Sequence, residues 1–190
     1  LAIVTNGGGP GVLAADWAHE IGLTVASLAE GLRDDLAARL PAGTPLQSVI
    51  DLGEDALPAH YAAALMACGK DPAIDGLLAL YAPKPDNDPA AVAQGVTEVF
   101  RLTGKPVLAC WMGDARVKSA RDVLSAAAVP NFRTPEAAVD AFGNIASFYQ
   151  NQQLLQQTPP PNSSLAKPDV EGARLLIEGV LAERRKVLTE

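Results

Sequence analysis

Aromatic residues make up only 5% of the 190 residues, and the chain holds just two cysteines and two histidines. Cys68 and Cys110 have no CxxC or His-spaced partner, which leaves no zinc pattern and no disulfide framework. Both are read as reduced and structural, and no metal is expected. His19 and His60 fall inside helical patterns with no Ser, Cys or carboxylate beside them, and GxSxG is absent, so no catalytic residue is expected within these residues. There is no apolar run of about 18 residues and no basic-apolar-small leader, which points to a soluble cytoplasmic protein without a membrane partner. Lys and Arg total 15 against 22 Asp and Glu, a net charge of −7. That balance argues against nucleic acid, whose binding needs concentrated positive charge. A small anion can still be held locally by backbone amides.

Hydrophobic residues are plentiful, at 48%, and evenly spread. A chain of this length buries roughly 70% of its unfolded surface and folds without staples. Short β-rich runs alternate with longer helical patterns, the mark of a mostly parallel sheet covered on both faces. The strand candidates are Ala2 to Thr5, Leu23 to Ser27, Gly76 to Tyr81, Pro106 to Cys110 and Asn131 to Arg133. Helices are expected from Pro10 to Ile21, Glu30 to Leu40, Ala56 to Gly69, Pro89 to Thr103, Ala115 to Ala128 and Pro135 to Gln156. Asp88 before Pro89, and Thr134 before Pro135, supply N-cap oxygens ahead of first-turn prolines. The fold class is therefore α/β: a flavodoxin-like three-layer α/β/α sandwich with a mostly parallel five-stranded sheet, plus a C-terminal helical extension. The core domain is assigned to residues 1–157, a proline- and serine-rich linker to 158–168, and an amphipathic helix to 169–190. The chain opens at Leu1 inside a strand pattern, as expected of a segment of a longer polypeptide.

The densest chemical signal is TNGGGPGVLAADW, where a strand passes into a helix through glycines. Without Cβ atoms the backbone can approach a ligand, and the first free N–H groups of a helix carry partial positive charge toward it. Asn6, Gly7, Gly8, Gly9, Pro10 and Gly11 are the candidate phosphate-binding residues, with the Asn6 amide as an added donor. No Lys-Ser/Thr follows, so this is not a Walker A loop. The relaxed GxGxxA pattern from Gly9 to Ala14, with Glu30 as a ribose contact, keeps an independent NAD-binding domain as a competing reading. A plain tight turn is the third. In an open α/β sheet ligands sit beyond the carboxyl ends of the strands. Two more loops reach that edge, YAPKPDND and CWMGD, which makes Lys84, Trp111 and Gly113 candidate contacts for a ligand or a neighbouring domain. Asp86 and Asp88 read as a turn with a helix cap rather than a metal site.

Four ordered stretches, AIVTNGGGPGVLAADWAHEIGL, DGLLALYAPKPDNDPAAVAQ, GKPVLACWMGD and VPNFRTPEAAVDAF, resemble a domain of the NDP-forming acyl-CoA synthetases, relatives of succinyl-CoA synthetase. The tail ARLLIEGVLAERRKVLTE resembles the opening of the ATP-grasp module that follows in such chains. The resemblance implies the second flavodoxin-like (CoA-ligase) domain of a modular enzyme that interconverts acid, CoA and ATP with acyl-CoA, ADP and phosphate. It implies that the glycine turn faces the phosphoryl group of a histidine borne by another domain, and neither His19 nor His60 matches that histidine. CoA, ATP/ADP and Mg would be held elsewhere, and this segment would have no turnover alone. The implied partners are the CoA-binding, phosphohistidine-bearing and ATP-grasp domains of the same polypeptide, with room for a homo-oligomer. FGNIASFYQNQQLLQQTPPP is similar to chains in which the synthetase region is joined to a GNAT protein lysine acetyltransferase and senses acyl-CoA. SVID, with Ser48 and Val49 where many relatives carry Asn-Pro, departs from the wider pattern and keeps that regulatory alternative open.

Overall fold

A computed structural model describes residues 1–85, 87–157 and 168–184 of the chain. It divides into two compact units, Leu1–Asn151 and Gln152–Glu190. In the first, β1 (Ala2–Thr5), β2 (Val49–Asp51), β3 (Leu77–Tyr81), β4 (Val107–Trp111) and β5 (Asn131–Phe132) form one all-parallel sheet in the order β2-β1-β3-β4-β5. The helices are α1 (Gly8–Glu20), α2 (Glu30–Arg39), α3 (Pro58–Lys70), α4 (Pro89–Thr103), α5 (Lys118–Ala126) and α6 (Pro135–Gln156), with a 3-10 turn at Ala115–Val117. α6 runs past the boundary between the units. This strand order is the flavodoxin-like arrangement that the alternating pattern led us to expect.

Period-two alternation along the strands builds two cores. Ala2, Val4, Ile50, Leu77, Ala79, Tyr81, Val107, Ala109 and Trp111 face Leu36 of α2, Leu65 of α3, Val96 of α4 and Leu124 of α5. On the other face Ile3, Leu78, Leu80, Leu108 and Cys110 meet Ala14 and Ala18 of α1 and Ala138, Val139 and Phe142 of α6. Every residue of β1, β3 and β4 is buried, which is why these strands read as unbroken apolar runs.

The second strand departs from expectation: residues 23–27 are not in the sheet, and β2 is Val49–Asp51, with Val4 opposite Ile50 and Thr5 opposite Asp51. Residues 23–28 carry apolar side chains for a different reason. Leu23 and Val25 pack on the α1/α6 core, whereas Ala26 and Leu28 enter the opposite one. The Ala26 N–H donates to Leu1 O at 2.8 Å, and the Leu1 amino group to Thr24 O at 2.9 Å. The segment is thus a crossing from one core to the other, not a ladder strand.

The cap chemistry expected of α4 is present: the Asp88 carboxylate accepts from the Ala90 and Ala91 N–H groups, ahead of Pro89. Close packing of α1 on the sheet requires Gly11, because a Cβ there would stand 2.7 Å from Val49 Cγ1 and 3.1 Å from Thr5 Cγ2. Gly11→Ala should therefore lower stability by about 1–3 kcal/mol in chemical denaturation. Gly9→Ala, with nothing within 4 Å, should be neutral or slightly stabilising. Equal effects at the two positions would contradict this account of α1 docking.

Both thiols are buried, and burial pushes Cys68 and Cys110 up to about 12. The thiolate is the reacting species, so at pH 8 neither should react with an aromatic disulfide reagent until the protein unfolds. Prompt native labelling of either would overturn the structural reading.

The second unit contains α7 (Val170–Ala182), whose N-cap Asp169 accepts from the Gly172 N–H at 2.8 Å. Its Val170, Leu175, Leu176, Ile177 and Leu181 are exposed. The linker assigned to 158–168 lies outside the described residues except for Pro168, as do residues 185–190. Among the described residues no helix is long and apolar enough to cross a membrane.

Candidate functional site

The chain leaves β1 with β2 on one side and β3 on the other, so the direction of winding reverses between β1 and β3. Loops diverge at such a point and open a crevice at the carboxyl edge. The glycine turn stands there. Thr5 Oγ1 accepts from the Gly7 N–H at 3.1 Å and donates to Gly7 O at 3.0 Å, tightening the exit from β1. Gly7 is the extended N-cap of α1, and the Gly11 N–H makes the first helical bond, to Gly7 O at 3.3 Å.

The helix begins at Gly8, two residues ahead of the expected start, which puts Pro10 at its third position. The proline there removes one N–H that could have had no partner inside the helix. Two remain. The Gly8 and Gly9 N–H groups have no acceptor among the described residues, and both glycines are exposed. No acidic residue lies in the first turn of α1, so nothing on the helix itself neutralises the partial positive charge of its N-terminus, equivalent to about half an elementary charge. The neighbouring helix starts differ. The Asp88 carboxylate fills the start of α4, and His60 Nδ1 accepts from the Leu57 N–H at that of α3. That contact accounts for His60; His19 is an exposed residue near the end of α1.

Asn6 acts as a clamp. Fully buried, it donates from Nδ2 to Ala82 O and accepts at Oδ1 from the Ala82 N–H, each at 2.8 Å. The side chain imitates one further rung of parallel ladder between the ends of β1 and β3. This ties the ends of β1 and β3 together directly beneath the glycine turn.

The other candidates at the edge, Trp111, Lys84 and Gly113, also make contacts within the protein. Trp111 is fully buried, contrary to the expectation of an available aromatic face: it stacks on Tyr81 at 5.5 Å and 15°, and its Nε1 donates to Pro89 O at 3.2 Å. Tyr61 continues this column, 6.4 Å from Tyr81, and its hydroxyl donates to Leu80 O at 2.7 Å. Burial pushes both phenols up, so they stay neutral. Lys84 Nζ pairs with Glu54 Oε1 at 2.5 Å, which ties the loop after β3 to the loop after β2, and Asn87 Nδ2 donates to Glu54 O at 2.9 Å beside it. Gly113 is exposed with φ +93°, and its carbonyl accepts from Arg121 Nη2 at 2.7 Å. Asp86 lies outside the described residues, and among the rest no group of three or more His, Cys, Asp or Glu side chains could hold a metal.

Two residues at this edge escaped the sequence reading. Arg121 of α5 reaches back to the Trp111 and Gly113 carbonyls; nothing in a mid-helix arginine announces that reach. Asp51 ends β2, with Oδ1 accepting from the Gly53 N–H at 3.0 Å and Oδ2 lying 3.1 Å from where a Gly8 Cβ would stand. SVID stands out in the sequence for Ser48 and Val49, and its acid carries no assignment there because residues 23–27 take the place of the second strand. Glu30 opens α2 and closes no strand, so the NAD reading loses its ribose contact.

The family model described as "Ligase-CoA domain" matches residues 1–155. Acetate–CoA ligase [ADP-forming] I of Archaeoglobus fulgidus is 30% identical over 148 residues, 78% of this chain and 21% of its own. Acetate–CoA ligase [ADP-forming] II subunit alpha of Pyrococcus furiosus is 31% identical over 142 residues, 72% of this chain and 31% of that one. Among solved structures, a Pyrococcus horikoshii OT3 protein superposes with a TM-score of 0.75 at 28% identity, covering 80% of this chain and 36% of its own. The dinucleotide forming acetyl-coenzyme A synthetase 1 of Ca. Korarchaeum cryptofilum, in its apo form, gives 0.75 at 26% identity, covering 87% and 35%. The chain thus spans between 21% and 36% of the length of these relatives.

Proposed function

The chain belongs to the Ligase-CoA domain family, and from that premise we propose that it is a non-autonomous domain of an NDP-forming acyl-CoA synthetase whose glycine turn holds the phosphoryl group of a histidine supplied by another domain. The observation that carries this reading is the pair of unpartnered, exposed N–H groups of Gly8 and Gly9 at the uncapped start of α1, beside the β1/β3 reversal. Their task is electrostatic. Amide donors and the helix dipole stabilise phosphoryl charge without forming a bond to it, and they act most strongly once water is excluded. Val12 and Leu13, 56% and 53% exposed, give the rim an apolar surface that a docking domain would cover.

CoA, the nucleotide and Mg would be bound by the other domains, as would the residues that form and break bonds. The complete protein should make ATP from acetyl-CoA, ADP and phosphate, and residues 1–190 alone should make none. Lysine acetylation without ATP formation would instead favour the regulatory, GNAT-associated reading. No observation on the fold or among the relatives favours that alternative.

A further inference from the structure

We propose that the outer part of α6 is a homodimer interface, on which a second copy of this chain packs its own α6 around Phe148 and Tyr149. Ala138, Phe142, Ile145 and Tyr149 follow one another at intervals of four, three and four residues, which places them on one face of the helix. Ala138 and Phe142 are buried against the sheet, and Ile145 is half-buried. The stripe then continues beyond that cover: every residue from Ser147 to Asn151 is exposed, with Tyr149 at 61%. Phe148, 59% exposed, packs edge-on against the Tyr149 ring at 5.8 Å and 78°.

Charge identifies the occupant. No Asp, Glu, Lys, Arg or His occurs from Ala141 to Ala166, in a chain where 19% of residues are charged and the net charge is −7. Two copies carry that net charge alike, which opposes their approach. Across this stretch of helix neither copy brings a charged side chain to the other. Its exposed polar groups are amides, at Asn144, Gln150 and Asn151, and an amide both donates and accepts. Each can therefore pair with its own symmetry mate, as a lysine or a glutamate cannot. A two-fold interface requires just that, because the same patch must complement itself. Exposed aromatics without charge are also the composition of an interface core. A partner of different sequence would be recognised in part by complementary charge, and this face offers none.

Sedimentation velocity of the chain at about 100 μM, well above the micromolar Kd of the weaker specific interfaces, tests the proposal. The native chain should run as a dimer, at twice its 19.7 kDa. Phe148→Glu combined with Tyr149→Glu should raise the Kd by about 30-fold or more, as loss of central aromatic anchors does, and give a monomer. Both positions are exposed, so the circular dichroism spectrum should stay native. Phe148→Ser with Tyr149→Ser, which adds no charge, should shift the Kd less and in the same direction. Leu102→Glu, exposed on α4 at the other face of the sheet, should leave the dimer intact. A native chain that stays monomeric would overturn the proposal and leave the face to some other surface. A dimer that survives the double glutamate change, or one lost equally in Leu102→Glu, would overturn it too. None of these readouts involves the glycine turn, so they stand apart from the phosphoryl-seat reading.

Discussion

Gly9→Val in the complete protein should reduce ATP formation from acetyl-CoA, ADP and phosphate by about 10²- to 10³-fold, the usual consequence of losing a preorganised donor at a site of developing charge. The structure separates this effect from misfolding. A Cβ at Gly9 meets nothing within 4 Å, and the residue is exposed in the first turn of α1. Valine is no worse than glycine in a helix, so stability should change by less than about 1 kcal/mol. Its methyl groups would then occupy the space an approaching phosphoryl group needs. Gly9→Ala, with a single methyl, should lose less. Full turnover in the valine variant would remove the glycine turn from the reaction.

Asn6→Ala should cost about 2–3 kcal/mol in chemical denaturation, the largest loss expected from any polar change at the edge. Asn6 is fully buried, and truncation takes away both its bonds to Ala82, leaving one N–H and one C=O short of a partner. Aspartate would not rescue it. A carboxylate can accept from the Ala82 N–H but cannot donate to Ala82 O, and it buries a charge. Because the clamp joins the ends of β1 and β3, releasing it should also let the glycine turn shift and lower turnover in the complete protein. A change below about 0.5 kcal/mol would mean that water takes over both bonds and that the clamp is not needed.

The contrast between these two residues shows how far the sequence could be read. The glycines between an apolar strand and an alanine-rich helix announced a strand-to-helix turn, and four of the five strands and the capped start of α4 followed from short β-rich runs between helical patterns and from Asp88-Pro89. Asn6 looked like a donor because it stands beside the glycines. Its partner is 76 positions away, and no local pattern reports that distance. Trp111 misled in the same way: a strand ending at Cys110 leaves it in the loop at the edge, yet it is the last residue of β4, and period-two alternation turns it into the core beside Tyr81. The exchange of residues 23–27 for Val49–Asp51 has a similar cause. Apolar alternation marks a segment that feeds two cores as readily as one that joins a ladder, and a three-residue strand is too short to announce itself.

The most direct test is a crystal structure of the complete protein carrying its phosphoryl group, obtained after incubation with acetyl-CoA and phosphate. Phosphoryl oxygens should lie about 2.7–3.2 Å from the Gly8 and Gly9 backbone nitrogens, with the turn covered by another domain. A phosphoryl group held elsewhere, with Gly8 and Gly9 facing solvent or filled by a neighbouring side chain, would contradict the account.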